Sequence, residues 1–351
     1  MPESSVVIPP EPSDGPWAQT AGLHTATTLF GQAAQTVPLP AAPHAVVIAE
    51  YGAGDARNGL APIGHAIAVL RKRIRPEHPI TVAHTDTPDN NFSTMFRTLH
   101  DDPRSYLRGD RAAFAVAVGR SYLTQILPSE SVHLAWSAWA IHWLSAVPAA
   151  VSDHIQVSYS ADASVRAAYA RQAAHDWHEF VAFRGRELCP GGRLVVLTMG
   201  ADEGGQFGLG PLLDALMHAL SELQADGLIT DYDRRAMHVP IVGRTEQDFR
   251  SPFAPSGRFE RLRITHLTIT NAADRFWLQY RIDGDAKAFG AGWARFARAA
   301  TFGTLLSDLD SARRTQVADA LEAALARLLG AVPQPMPIPV AHIVIEKQAP
   351  A

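Results

Sequence analysis

From residue 46 to residue 199 the sequence repeats one unit: a short apolar run rich in β-branched residues, a stop at glycine or an acid, then a stretch with helical spacing. Val46 to Tyr51 leads into Gly52-Ala53-Gly54-Asp55-Ala56-Arg57-Asn58-Gly59 and a helical pattern from Leu60 to Arg73. Ile80 to His84 runs on to Asp86, Phe114 to Val118 stops at Gly119, Val132 to Ser137 follows, and the Gly191-Gly192 turn launches Arg193 to Met199. Ile155 to Tyr159 has the composition of an edge strand, and the helical pattern is clearest from Ala163 to Leu188. Strands this apolar must be covered on both faces, and parallel neighbours need crossovers of a dozen or more residues. The alternation therefore predicts a parallel α/β sheet packed between helices.

After Met199 the unit breaks down. Helical patterns from Leu212 to Asp226 and from Ala291 to Leu329 flank a strand-like segment, Phe259 to Thr270, and a last strand covers Val340 to Glu346. Strands added late predict an antiparallel edge, and the surplus helices predict a cap. The chain divides accordingly into an N-terminal tail (1–16), an α/β core (17–200), a helical cap (201–254), a core edge strand (255–283), a second helical cap segment (284–335) and a C-terminal core strand and tail (336–351). At 351 residues and 47% hydrophobic content, one large core with a subdomain is sufficient to hold this together.

Several function classes are excluded. The net charge of −4 offers no basic field for nucleic acid. Cys189, the single cysteine, sits in a Cys-Pro-Gly-Gly turn and reads as structural, in a reducing compartment. Residues 1–16 lack the charged and apolar regions of a signal peptide, and no apolar stretch reaches the roughly 20 residues of a membrane span, so a cytoplasmic protein is expected.

In an open α/β sheet, ligands bind beyond the carboxyl ends of the strands where the crossovers diverge. The loop from Gly52 to Asn58 lies there, with Glu50 at the end of its strand and Asp86 at the end of the next. Glycines permit close backbone approach, and a carboxylate can accept both hydroxyls of an adenosine ribose. A nicotinamide cofactor fits these features as well, and Asp86 alone could equally be a turn residue in Thr-Asp-Thr-Pro-Asp-Asn.

Longer motifs carry a family resemblance. Ala49-Glu50-Tyr51-Gly52-Ala53-Gly54-Asp55-Ala56-Arg57-Asn58 resembles A-D-x-G-x-x-x-G-x-N, and His84 to Ser93 resembles N-D-L-P-x-N-D-F-N. Leu127 to Pro148 follows F-P-x-x-S-L-H-x-x-x-S-S-Y-S-L-x-W-L-S-x-V-P almost position for position, and Gln172, Asp176 and Gly191-Gly192-Arg193 continue the register. From about Trp17 to Lys347 the chain resembles the SABATH family of S-adenosylmethionine-dependent carboxyl and N-methyltransferases. That resemblance implies a Rossmann-like class I methyltransferase α/β sheet with a helical cap. It implies S-adenosyl-L-methionine as cofactor and S-adenosyl-L-homocysteine (SAH) as product, with Glu50, Gly52 and Asn58 at the methionine end, Asp86 on the ribose, and Thr87, Ser121 and Tyr122 at the adenine. It also implies a small carboxylic acid as acceptor, from fatty acids to benzoate- or salicylate-like acids, and a homodimer.

A carboxylate acceptor is ionised at neutral pH, so methyl transfer to it needs no general base. It needs neutral donors that hold the acid without quenching it. Gln19 and Trp143 match the family's carboxylate-holding positions, Trp143 with an indole N–H and Gln19 with an amide. His142 precedes Trp143 and is a candidate for substrate contact. Trp139 and Met237, the latter in Met237-His238-Val239-Pro240, are candidates for the apolar wall, as are Trp136, Phe207 and Trp293. His175 and His178 have metal-ligand spacing but no distant partners, so no metal is expected. The chain departs from the family at the Y-x-x-x-S-x-x-Q segment, here Pro12 to Gln19, and at Glu50 and Ala56. Three rivals are a nitrogen or hydroxyl acceptor, which would use a base such as His142 or His133, a nicotinamide-dependent oxidoreductase, and a cofactor-binding protein without turnover.

Overall fold

The computed structural model describes residues 22–349. Gln19 and the 1–16 tail lie outside the described residues. Helix α1 (Leu23–Thr36) precedes strand β1 (Val46–Tyr51), helix α2 (Arg57–Arg71) and strand β2 (Ile80–Asp86). Helix α3 (Phe92–Asp101) and the single turn α4 (Tyr106–Gly109) lead to β3 (Ala113–Gly119), then β4 (Val132–Ala138). The long helix α5 (Ala163–Glu187) runs directly into β5 (Leu188–Met199).

Among the described residues, seven strands form one sheet in the order β3-β2-β1-β4-β5-β7-β6, where β6 is Leu262–Asn271 and β7 is Pro339–Lys347. Strands β1 to β5 pair in parallel, and β7 inserts antiparallel between β5 and β6. The expected parallel sheet with an antiparallel edge is therefore present. The order reverses direction between β1 and β4, which places the ends of those two strands on either side of a crevice.

Two segments differ from the sequence reading. Ile155 to Tyr159 forms no strand; Val157–Tyr159 is a 3-10 turn, capped by the Gln156 side chain, which accepts from Ser158 N. Val157 fills a small satellite core with Tyr169 and Leu144 instead, and Ile155 joins the main core, tertiary packing having outweighed local propensity. Strand β5 begins at Leu188 rather than Arg193, because the Cys-Pro-Gly-Gly turn is a bulge inside it: Val132 pairs with Leu188 and Leu134 with Arg193. Gly191 takes φ +79° within that bulge, and burial raises the Cys189 thiol to about 11.

The cap comes from helix α6 (Gly210–Ala225), short helix α7 (Asp231–Ala236), helix α9 (Arg275–Asp283), helix α10 (Ala286–Ala297), the turn α11 (Gly303–Leu305) and helix α12 (Ser311–Ala331), whereas short helix α8 (Glu246–Arg250) packs Phe249 on Trp177 of α5. Segment 255–283 thus holds a helix as well as the edge strand: Asp274 ends the strand run by capping α9, accepting from Trp277 N. The helical pattern from Ala291 to Leu329 is broken by a π turn at Arg298–Phe302 and restarted at Asp310, whose carboxylate caps Ala312 and Arg313.

Candidate active site

At the end of β1 the backbone makes a turn that glycine alone suits. Gly52 has φ +77°, and a Cβ there would run into the Cβ of Ala140, just past β4. Gly52 and Ala53 both donate to the carbonyl of Thr85, so the loop is stapled to β2. Gly54 (φ +53°) donates its N–H to Asp86 Oδ2 at 2.7 Å, and Thr87 N donates to Asp86 Oδ1 at 2.7 Å. Ala56, where the family motif has glycine, occupies the left-handed region at φ +68° and starts α2, whose first turn carries Asn58.

Each Asp86 oxygen accepts one backbone N–H and keeps further acceptor capacity, which suits a pair of ribose hydroxyl donors. Burial raises the carboxyls of Glu50, Asp55 and Asp86 above their ordinary values, His84 and backbone donors opposing the shift in part. Buried Glu50 and Asp86, with half-buried Asp55, around one glycine loop fit a ligand that brings cationic groups, as the ammonium and sulfonium of S-adenosylmethionine do. Glu50 lies deeper than the strand-end reading suggests. Its Oε2 is 2.5 Å from His84 Nδ1, His84 Nε2 is 2.8 Å from the Tyr106 hydroxyl, and Oε1 fills the space where a Cβ on Gly59 would sit.

Ser121 and Tyr122 follow β3. The buried Tyr122 donates its hydroxyl to the carbonyl of Ala140 at 3.2 Å, tying the loop after β3 to the segment after β4. Beneath them lies a network that the sequence reading missed. Fully buried Arg184 and Glu187 pair at 3.0 Å; the guanidinium donates to the carbonyls of Tyr122 and Thr124, while the carboxylate accepts from Ile126 N, Leu127 N and the Tyr51 hydroxyl. An Arg and a Glu three apart at the end of a helix were the available signal.

The segment after β4 gathers the acceptor candidates. Trp139 adopts φ +57°, a strained conformation for a bulky residue, and the buried N–H of its indole finds no acceptor among the described residues. Its ring lies 6.3 Å from that of His142, which is 5.8 Å from that of half-buried Trp143. His142 is buried, and desolvation, with nearby Arg244, lowers it to about 3, so the imidazole is neutral. A strap from Met237 to Arg244 runs alongside: Leu144 N donates to Pro240 O, Val242 N to His142 O, and Trp143 bridges Ile241. Met237 is buried at the start of that strap.

Other candidates fall elsewhere. His133 accepts from Val47 N at the opposite end of the sheet from the crevice, too far to act as a base there. Trp136 packs on Phe30 of α1 in the core, and Trp293 packs on Phe276 and Phe296 within the cap. His178 stacks on Phe259, and among the described residues no three His, Cys, Asp or Glu side chains gather as a metal site. Gln172 and Asp176 hold the motif from below: Asp176 accepts from Ser145 N and Oγ and from Gln172 Nε2.

The profile of the SAM dependent carboxyl methyltransferase family matches residues 15–332. Gibberellic acid methyltransferase 1 of Arabidopsis thaliana is 26% identical over 253 residues, covering 68% of this chain and 66% of that protein. S-adenosyl-L-methionine:benzoic acid/salicylic acid carboxyl methyltransferase 3 of Petunia hybrida is 27% identical over 212 residues, 56% of this chain and 59% of that protein. The chain therefore spans less than two thirds of the length of these curated relatives. A solved loganic acid methyltransferase with SAH superposes with a TM-score of 0.76 at 19% identity, covering 96% of both chains, which shows a shared fold.

Proposed function

Since this chain belongs to the SAM-dependent carboxyl methyltransferase family, we propose that it forms the methyl ester of a small carboxylic acid, a fatty acid or a benzoate- or salicylate-like acid. When bound, S-adenosylmethionine supplies an electrophilic methyl whose bonding electrons leave with sulfur. The chain's own residues then have three tasks: to hold the nucleoside, to aim an anionic oxygen, and to exclude water.

Asp86 accepts the ribose hydroxyls, with Thr87, Ser121 and Tyr122 at the adenine and Glu50, Gly52 and Asn58 at the methionine end. Trp143 and Gln19 donate to the acceptor carboxylate, and His142, Trp139 and Met237 line its chamber. The observation that carries this reading is the chemistry of the segment after β4. It holds two indoles, Trp139 with its buried N–H lacking an acceptor among the described residues, beside an imidazole that burial keeps neutral and weakly basic. Such a wall can orient a carboxylate, which needs no deprotonation, and is ill suited to activate a hydroxyl.

The test is incubation with methyl-labelled cofactor and a panel of aliphatic and aromatic acids, with identification of the product. A methyl ester supports the reading; label transferred only to amines or alcohols, or no transfer with SAH still bound, rejects it. The resemblance to methyltransferases of gibberellic acid and of benzoic and salicylic acids supports the acceptor class. The same reading carries a homodimer, expected from the family and checked by sedimentation velocity, and keeps the cytoplasmic location proposed from the sequence.

A further inference from the structure

Arg244 is a fully buried guanidinium immediately behind the acceptor segment. Its Nη1 donates to the carbonyl of Ile141 at 2.6 Å, and its Nε and Nη2 both donate to the carbonyl of Ala173 at 3.2 and 2.8 Å. Its own carbonyl accepts from Ala201 N beyond the end of β5. The residue thus joins the acceptor segment, α5 and the β5 terminus. These three side-chain donations all go to carbonyl dipoles, and none of the ion pairs among the described residues involves it.

The groups that face it are few. Asp176, one turn along α5 from Ala173, feels its charge, but its carboxylate is taken up by Ser145 and Gln172. Tyr122 and Asp248 contribute more weakly, and His142 is neutral. Desolvation lowers Arg244 to about 10, so it stays a cation at neutral pH. A charge held in a dry interior acts over a longer range than one at the surface, because neither water nor salt screens it well.

We propose that Arg244 determines acceptor specificity: its buried charge, held off the ligand by backbone carbonyls, gives the chamber a positive potential that selects an anionic acceptor over its neutral isostere. The inference rests on the carboxylate reading above and deepens it. A guanidinium in contact with the acid would quench the nucleophile, whereas one set back by a peptide unit attracts it and leaves its oxygen free. The sign of the kinetic effect follows from the chemistry. As the carboxylate oxygen bonds to the methyl carbon, the C–S pair passes to sulfur and the acid loses its negative charge without any proton moving. A positive potential therefore stabilises the bound acid more than the transition state, so it lowers KM and does not raise kcat.

The experiment uses full-length protein saturated with SAH and two probe pairs, benzoate with benzamide and octanoate with octanamide, titrated calorimetrically. For the acid that binds more tightly, Arg244→Gln should weaken binding at least tenfold and leave the matching amide and SAH within twofold. Arg244→Lys should restore acid binding to within about threefold. In turnover, Arg244→Gln should raise KM for the acid with kcat no lower than that of the unmodified protein. Equal losses for acid and amide, or no loss for the acid, would overturn the proposal and leave Arg244 as a structural tie. If Arg244→Gln fails to fold, Asp176→Asn, which removes the nearest opposing charge, should tighten acid binding; weaker acid binding than amide binding in that variant overturns the proposal too. A native protein that binds neither acid better than its amide removes the carboxylate reading itself, an outcome distinct from a failure confined to the variants.

Discussion

The two halves of the crevice are built from different materials. On the cofactor side, between the ends of β1 and β2, the geometry is made by backbone: glycines at positive φ, a loop stapled to Thr85, and a carboxylate locked by two peptide N–H groups. On the acceptor side, after β4, it is made by side chains: two indoles, a neutral imidazole and a strap that reaches them from about a hundred residues away. The first half is acidic and suits a ligand with cationic groups; the second holds uncharged donors with one cation set behind them. On the proposed function, the cationic cofactor meets acids while the anionic acceptor meets no cation in contact with it.

The contrast can be broken from either side. Asp86→Asn turns an acceptor-only group into a partial donor, and loss of charged hydrogen bonds costs about 1.5–3 kcal/mol. SAH affinity should fall roughly 10- to 100-fold while acid binding changes little, as read by calorimetry. Similar losses for both ligands would mean that the halves are one site. Trp143→Ala should do the reverse, raising the acid's dissociation constant about tenfold through a lost N–H donor and lost contact, with SAH held within twofold. Equal weakening of both would contradict its role.

Two smaller effects sharpen the picture. His142 has a folded pKa near 3, below its ordinary value of 6.5. Between these limits the unfolded chain binds a proton that the folded chain refuses, so stability is full above about pH 6.5 and declines as pH falls toward 3. The slope should reach at most about 1.4 kcal/mol per pH unit, and His142→Gln should remove it in urea titrations at pH 4 and 7. Ala56→Gly relieves the left-handed strain at the start of α2, worth about 1–2 kcal/mol, against a cost of about 0.5–1 kcal/mol in chain entropy. The expected gain is at most about 1.5 kcal/mol, visible as a small rise in Tm, and a fall in Tm would show that the turn tolerates alanine without strain.

The same contrast explains what could be read before any fold was in view. Strands β1 and β2, the glycine turn and Asp86 were legible because backbone demands leave local signatures: periodicity, glycine, and an acid at a strand end. The chamber was legible only through its resemblance to a longer motif, since nothing local says that Val242 bonds His142 or that Arg244 reaches Ile141. Ile155 to Tyr159 misled because β-branched residues pack into a core from a turn as well as from a strand, Ile155 in the main core and Val157 in the satellite one. Trp136 and Trp293 misled because residue type alone does not reveal what a tryptophan packs against, here Phe30 of α1 and Phe276 beside the cap helix α10.

The most direct test of the account is the pH dependence of methyl ester formation at saturating acid and cofactor, between pH 6 and 9. A chamber that aims an already ionised acid with neutral donors predicts a flat profile, kept by His142→Gln. A limb that rises with pH, or a fall in kcat of roughly a hundredfold or more in that variant, would show a base at work and contradict the account.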